Sequence, residues 1–432
     1  MDLTALAQSA SKAAIFLSAA GEERKNNALG AIAKALKQNS AQITRANQLD
    51  LEKAKAENVA APLLKRLKFD SAKIDEVCSG IESLIKLEEP IGKTLSAVEL
   101  DKGLELYRVS CPIGVIGVIF ESRPDALVQI STLCLKSGNA VLLKGGKEAA
   151  NTNQILFEII NSSSVGCGIP SGWIGLLQTR EDVKGILKLD EYIDLIIPRG
   201  SNEFVKYIMN NTNIAVLGHA EGICHVYIDS KADIDMAVKI AVDSKTQYCA
   251  VCNAAETLLV HKDISQKFLP IVKQTLEEKG VELRGCEKTR KIIDVKPADE
   301  ADWKTEYLDM ILSIKVVDSL GEAIEHINTY GSHHTDTIVT ADKNAGEIFL
   351  NMIDSADVFL NASTRFADGF RFGLGAEVGI STNKIHARGP VGLEGLLIYK
   401  WKLLGSGQIV ADYSGDGGKK FTHKKLEKDF KI

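Results

Sequence analysis

The run PIGVIGVIFESRPDALVQISTLCLKSGNAVLLKGGKEA, residues 112–149, decides the fold. Two short apolar, β-branched stretches, GVIGVIF and NAVLLKG, flank a segment that opens at Pro124 and carries helical spacing. A strand, a helix and a second strand with no polar alternation describe a parallel pair buried on both faces. The unit repeats outward from there. A helix from about Ala149, the strand IGLLQ, a helix from Glu181, the strand IDLIIPRG, a helix from Ser201 and the strand NIAVLG complete one series. After CHVYID a second series begins, with strands ETLLVH, MILSIKVV, DTIVTA and DVFLNA separated by amphipathic helices. Upstream, residues 1–95 read as helices throughout, with Leu29, Ile32 and Leu36 at helical spacing. The fold class is therefore α/β, with two parallel α/β domains. The expected division is 1–229, including the helical layer, and 230–390. LEGLLIYKWKLLGSGQIVADY then gives a β arm over 391–415, and residues 416–432 form a tail.

Composition limits the function. A chain of 432 residues, 45% hydrophobic and 25% charged, buries a large core. No apolar run approaches the roughly 20 residues a bilayer span needs, and AAIFLSAA lacks a basic leader. A cytoplasmic protein is expected. The net charge of −5, with no offsetting basic tract, argues against nucleic-acid or membrane partners and for a small-molecule substrate. The lysine-rich end GGKKFTHKKLEKDFK reads as solvated. Eight scattered cysteines make no disulfide framework, so each thiol's surroundings decide its role.

In open α/β sheets, ligands gather beyond the carboxyl ends of the strands. Three such ends stand out. FESRPDA contains Ser122 and Arg123 just before Pro124; LLKGGKEA contains Lys144, Gly145, Gly146 and Lys147; IIPRGSNE places Gly200 and Ser201 at a helix start. None is a GxGxxG fingerprint, and GLGAEVG has the wrong spacing for one. Most lysines are solvated, so Lys144 alone also reads as an ordinary strand end.

The CxxC of Cys249 and Cys252 admits a redox pair, half a zinc site, or one nucleophile beside a bystander. It runs into a strand rather than opening a helix, unlike a thioredoxin-type motif. A zinc site needs two more ligands, and the histidines, including His333 and His334, show no partner motif; no metal is expected. Taken bare, a buried structural thiol is the commoner fate of either cysteine.

The 112–149 run, DLIIPRGSNEFVKYI (194–208), QYCAVCNAAETLLVH (247–261) and FADGFRFGLGAEVGISTNKIHARGPVGLEGL (366–396) together resemble the γ-glutamyl phosphate reductases of the aldehyde dehydrogenase superfamily. The resemblance spans nearly the whole chain. It implies an aldehyde dehydrogenase-like fold with an NADP(H) domain, a cysteine domain, an active site between them, and a β oligomerisation arm with a strand near 101–112. It also implies a homo-oligomer. The glutamate kinase domain of fused forms is missing from the pattern, which leaves room for association with a separate kinase.

By this resemblance Cys252 is the nucleophile and Cys249 the bystander. Lys144, Gly145, Gly146, Lys147, Gly200 and Ser201 serve the cofactor, and Glu306 in TEYLDMIL holds the nicotinamide ribose, although Leu308 replaces the usual phenylalanine. Lys147 stands near where many NAD-using relatives carry a glutamate; a lysine attracts a 2′-phosphate, which favours NADPH. Backbone amides near Cys252, with help from Asn253 or a side chain of the ESRPDA turn, are expected to stabilise the oxyanion. Ser122, Arg123 and Arg365 are expected to hold the anionic substrate, with Arg199, Arg371 and Arg388 as further cations that read equally as surface residues.

Thiol attack on an acyl phosphate gives a thioester, and hydride then yields an aldehyde. In AVLGHAEGICHVYID, Gly218 or His219 stands where hydrolytic relatives carry a water-activating glutamate, with Glu221 close by. That departure favours reduction of L-glutamyl 5-phosphate to glutamate 5-semialdehyde in proline biosynthesis. The alternative is a non-phosphorylating aldehyde dehydrogenase acting on another small aldehyde.

Overall fold

The computed structural model describes residues 2–59, 61–121, 123–219, 221–375 and 377–431. The chain divides into two compact units. The first comprises 1–217, 375–379 and 391–432; the second comprises 218–374 and 380–390.

In the first unit five parallel strands lie in the order Ile174–Leu177, Ala140–Lys144, Val115–Phe120, Leu195–Arg199, Ala215–Val216. The chain starts at the central strand, adds neighbours on one side, then crosses to the other. This creates a switch point beyond Phe120 and Arg199. Helix Leu3–Ser18, capped by the Asp2 carboxylate on the Ala5 amide, presents Ala7, Ala10 and Ala14 to Val115, Ile119 and Leu142. Alanine allows the helix to lie close on the sheet. The apolar strand residues beneath it each contribute roughly 1.5–3 kcal/mol through burial.

A second sheet in this unit is antiparallel, in the order Leu397–Leu404, Leu104–Pro112, Thr94–Asp101, Lys424–Leu426. The region near 101–112 is thus the second strand of a hairpin turning at Lys102 and Gly103. The 416–432 end is not merely solvated. Lys424–Leu426 pairs with the hairpin, the Phe430 amide donates to Thr94 Oγ1 at 2.8 Å, and the Phe430 ring meets Tyr107 edge-on. Its lysines hide this role because strand pairing uses backbone groups and Leu426 and Phe430 supply the apolar anchors.

In the second unit seven parallel strands run Lys296–Pro297, Glu282–Gly285, Ile311–Val317, Ala255–His261, Cys224–Ile228, Thr335–Val339, Asp357–Leu360. The expected boundary after Asp229 is corrected to Gly218, because Cys224–Ile228 pairs with Ala255–His261 and Thr335–Val339. Every residue of Cys224–Ile228 and Ala255–His261 is buried, as parallel strands covered on both faces require. Glu282–Gly285 and Lys296–Pro297 are too short and polar to have stood out in the sequence.

Candidate active site

Cys252 occupies the turn between helix Ile234–Thr246 and strand Ala255–His261. The turn is held on several sides. Asn253 Nδ2 donates to the Ala367 carbonyl at 2.7 Å, and Cys224 Sγ donates to the Cys252 carbonyl at 3.2 Å. Gly222 packs backbone against backbone, since a Cβ there would come within 2.1 Å of the Cys252 oxygen. Only glycine permits that approach.

Strand pairing explains what gathers around the sulfur. Ala255–His261, Cys224–Ile228 and Thr335–Val339 are successive neighbours. Parallel pairing brings like ends together about 4.8 Å apart. The residues just ahead of these three strands therefore meet at one edge of the sheet: Cys252, His219 and His334. His334 Nε2 lies 3.1 Å from Cys252 Sγ. The His219 and His334 rings sit edge to face with centroids 5.0 Å apart. One ligand atom from each of the three residues falls within 4.8 Å of the others.

The His334 tautomer follows from its other nitrogen. Nδ1 lies 2.7 Å from Thr335 Oγ1, and that hydroxyl donates to Asp357 Oδ2 at 3.3 Å. A hydroxyl has one proton, so it accepts from Nδ1–H and the lone pair of His334 is on Nε2, facing the thiol. Burial, with the charge of His219 secondary, holds the His334 pKa well below the usual imidazole value. The resting pair is thus neutral imidazole beside the sulfur.

Arg365, one of the late arginines, is in electrostatic reach of Cys252. It is 8% exposed. Burial and then Arg371 lower its pKa, while charge on Cys252 raises it. Its Nε donates to Gln247 Oε1 at 3.0 Å, and Arg371 Nη1 donates to its carbonyl at 2.9 Å. Arg388 is committed elsewhere, to Asp354 and the Thr382 carbonyl. Asn253 serves as a tie for the turn through its bond to Ala367, and its buried Oδ1 has no partner among the described residues.

Glu306 lies near a buried pair, Lys245 Nζ to Glu256 Oε2 at 2.5 Å. Burial pushes the Glu256 carboxyl up to about 7 against the pull of Lys245, with Glu306 adding a smaller push. Glu256 Oε1 also accepts from the Leu308 amide at 3.2 Å, and Leu308 is held at φ 52°, an uncommon conformation for a leucine. Glu256 therefore connects the strand that follows Cys252 to the segment that carries Glu306.

In the first unit Lys144 ends its strand half-buried, its pKa lowered by burial and raised in part by Glu148. A cleft of about 420 Å³ opens beside it, lined by Gly145, Gly146, Lys147, Asn153 and Thr179 among others. A Cβ on Gly145 would meet Asn153 Nδ2 at 2.1 Å, and one on Gly146 would meet the folded-back Glu148 carboxylate at 2.0 Å. Asn153 Oδ1 is buried without a partner among the described residues. Ser201 caps helix Asn202–Asn210 by accepting from the Phe204 amide, with exposed Gly200 just before it. Arg123 precedes helix Pro124–Lys136, its guanidinium half-exposed and 3.9 Å from Asp125. Ser122 lies outside the described residues.

The sequence reading did not find the partners of Cys252. His334 carries no partner motif in the sequence and His219 stands there only in place of a missing glutamate; they lie 82 and 33 positions from Cys252. The available signal was positional: His334 immediately precedes strand TDTIV and His219 leads into CHVYI. Between Gly218 and His219, it is His219 that joins the thiol, and among the described residues the group gathered there contains no carboxylate.

Residues 1–290 match the aldehyde dehydrogenase family. The gamma-glutamyl phosphate reductase of Acetivibrio thermocellus is 63% identical over 100% of both chains. That of Methanococcoides burtonii is 55% identical over 99% of this chain and 97% of its own. The crystal structure of gamma-glutamyl phosphate reductase from Thermotoga maritima, 42% identical, aligns with a TM-score of 0.93 over 95% of this chain and 100% of that one. This chain belongs to the aldehyde dehydrogenase family and, within it, to the gamma-glutamyl phosphate reductases.

Proposed function

We propose that this chain reduces L-glutamyl 5-phosphate to L-glutamate 5-semialdehyde and phosphate with NADPH, the second step of proline biosynthesis from glutamate, through a thioester on Cys252. The observation that carries this reading is the 3.1 Å contact of the Cys252 sulfur with His334 Nε2, the nitrogen bearing the lone pair.

As the sulfur attacks the acyl carbon, its proton passes to His334 Nε2, and the C–O bond to phosphate breaks. The imidazolium returns that proton to the departing phosphate. When bound, the nicotinamide of NADPH supplies the hydride that converts the thioester to a thiohemiacetal anion. Collapse breaks the C–S bond, releases the aldehyde and leaves a thiolate, which takes one proton from solvent. Arg365, buried and sensing the charge on Cys252, steadies the sulfur's anionic forms or an anionic group of the substrate. Among the described residues, the group of His219, Cys252 and His334 contains no carboxylate, a departure from the water-activating glutamate of hydrolytic relatives.

The family uses a nicotinamide dinucleotide, and the first unit fits one. The cleft is lined by Gly145 and Gly146, against which the Asn153 and Glu148 side chains lie, and the buried Asn153 Oδ1 is an acceptor with no partner among the described residues. Lys144 and Lys147 bring positive charge, which favours NADPH, although the Glu148 carboxylate on Gly146 opposes it. We assign Gly200 and Ser201 to the same ligand, Glu306 to its nicotinamide ribose, and Arg123 with Ser122 to the substrate. The exposed Ile398, Tyr399, Trp401 and Leu403 on strand Leu397–Leu404 suit burial against another subunit.

The reverse reaction tests the proposal. Enzyme, semialdehyde and NADP⁺ should form NADPH only when inorganic phosphate is added. Phosphate-independent NADPH formation would establish the hydrolytic alternative instead.

A further inference from the structure

The trio of His219, Cys252 and His334 supports a second chemistry besides acyl transfer. The three residues leave the leading ends of three adjacent parallel strands, so the sheet itself sets their spacing. A tetrahedral Zn²⁺ with Zn–S near 2.3 Å and Zn–N near 2.0–2.1 Å places its ligand atoms roughly 3.3–3.8 Å apart. Here His334 Nε2 and Cys252 Sγ are already at 3.1 Å, and all three ligand atoms lie within 4.8 Å of one another. A small closure of His219 completes the geometry.

An independent feature points the same way. Metal-binding histidines nearly always donate their other ring N–H to an oxygen, which fixes the tautomer and aims the lone pair. Both rings have such an oxygen. His334 Nδ1 faces Thr335 Oγ1 at 2.7 Å, and His219 Nδ1 faces the Ile380 carbonyl at 2.9 Å. With those protons on Nδ1, each Nε2 carries the lone pair. Cys252 and His219 are only partly buried, which gives an ion an entry path.

We propose that His219, Cys252 and His334 form a three-ligand site for a borderline-soft divalent cation, Zn²⁺ above all, that reversibly silences the enzyme by occupying its nucleophile. Two imidazoles and a thiolate select such ions over Mg²⁺ or Ca²⁺, and the fourth position remains for water. Binding forms an S–Zn bond and releases the thiol proton to solvent, with no change of oxidation state. Zn²⁺ occupancy does not depend on what Cys252 does in turnover. The inhibition does rest on its being the nucleophile.

The test uses the full-length, reduced, metal-free enzyme without substrate. Titrated Co²⁺ should develop tetrahedral d–d bands and a thiolate-to-metal charge-transfer band. Zn²⁺, followed by competition with a chromophoric chelator, should bind once per chain. It should block iodoacetamide labelling of Cys252, located by peptide mass, and a strong chelator should restore labelling. Thr335→Val should weaken binding about 10–100-fold by removing the oxygen behind His334. His219→Ala and His334→Ala should weaken it further, and Cys249→Ser should leave it unchanged. If His334→Ala melts abnormally, the partly exposed His219→Ala decides. Wild-type affinity in His219→Ala, loss of binding in Cys249→Ser, or a Co²⁺ complex without charge transfer would overturn the site. Turnover should stop as Zn²⁺ binds; turnover that persists with the site filled would count against the role of Cys252 in catalysis and leave the metal site standing.

Discussion

His334 Nε2 lies 3.1 Å from Cys252 Sγ, and the ring's other nitrogen is anchored on Thr335. Burial holds the His334 pKa well below the usual imidazole value, which favours a neutral ring over an imidazolium beside the sulfur. In the proposed acylation the proton moves to His334 as the sulfur attacks. His334→Gln should therefore slow thioester formation by roughly 10²–10⁴-fold. Wild-type acylation should show a solvent deuterium isotope effect that the variant lacks. Mass spectrometry of enzyme quenched after mixing with acyl phosphate and no cofactor measures both. An acylation rate unchanged in His334→Gln would remove the histidine from the mechanism.

The division between what the sequence revealed and what it concealed is physical. Continuous apolar runs such as GVIGVIF and ETLLVH announce buried parallel strands, because covered strands have no polar face to alternate. Cys252 and the Lys144 turn were found as long contiguous motifs. His219 and His334 were not, because parallel pairing joins residues that are distant in the chain and close only at a shared sheet edge. The boundary was misplaced for the same reason: CHVYID ends one apolar series in the sequence but pairs with the strands of the next. Leu426 and Phe430 were obscured by their lysine neighbours.

Acid should destabilise the protein through buried histidines. His334 is held well below the ordinary imidazole value by burial, and His326 is lowered to about 2 by burial and then by His225 and Lys315. Both folded values are depressed, so the stability they contribute is fully present above the unfolded pKa of about 6.5. It is lost as pH falls below that value, because the unfolded chain binds protons the folded chain refuses. Each proton is worth about 1.4 kcal/mol per pH unit. Urea unfolding from pH 7 to pH 5 should show that slope, reduced by one proton's worth in His326→Gln. Identical slopes in variant and wild type would contradict the buried neutral state.

The Lys245–Glu256 pair is fully buried and tied to the Leu308 amide. Glu256→Gln leaves the ammonium without its counter-charge and should cost about 3–5 kcal/mol, whereas joint replacement by Met and Leu should recover most of that. The same single change frees the segment that carries Glu306. It should therefore raise the KM for cofactor in whatever fraction remains folded. A double variant as unstable as the single one would show that packing, and not charge, is at stake.

Lys147 lines the cleft at Gly146, and its ammonium is exposed, while Glu148 folds back against the same glycine. If the cleft receives the adenosine end of the cofactor, these two charges compete over a 2′-phosphate. A charge-assisted hydrogen bond is worth about 1.5–3 kcal/mol, so Lys147→Glu should raise the KM for NADPH roughly 10–100-fold. The KM for NADH, which has no 2′-phosphate, should change little. Glu148→Gln should move the NADPH value in the opposite direction, because it removes a carboxylate without removing either lysine. Steady-state kinetics with both cofactors decides the matter: equal losses for NADPH and NADH in Lys147→Glu would mean that the lysine supports the turn and does not read the phosphate.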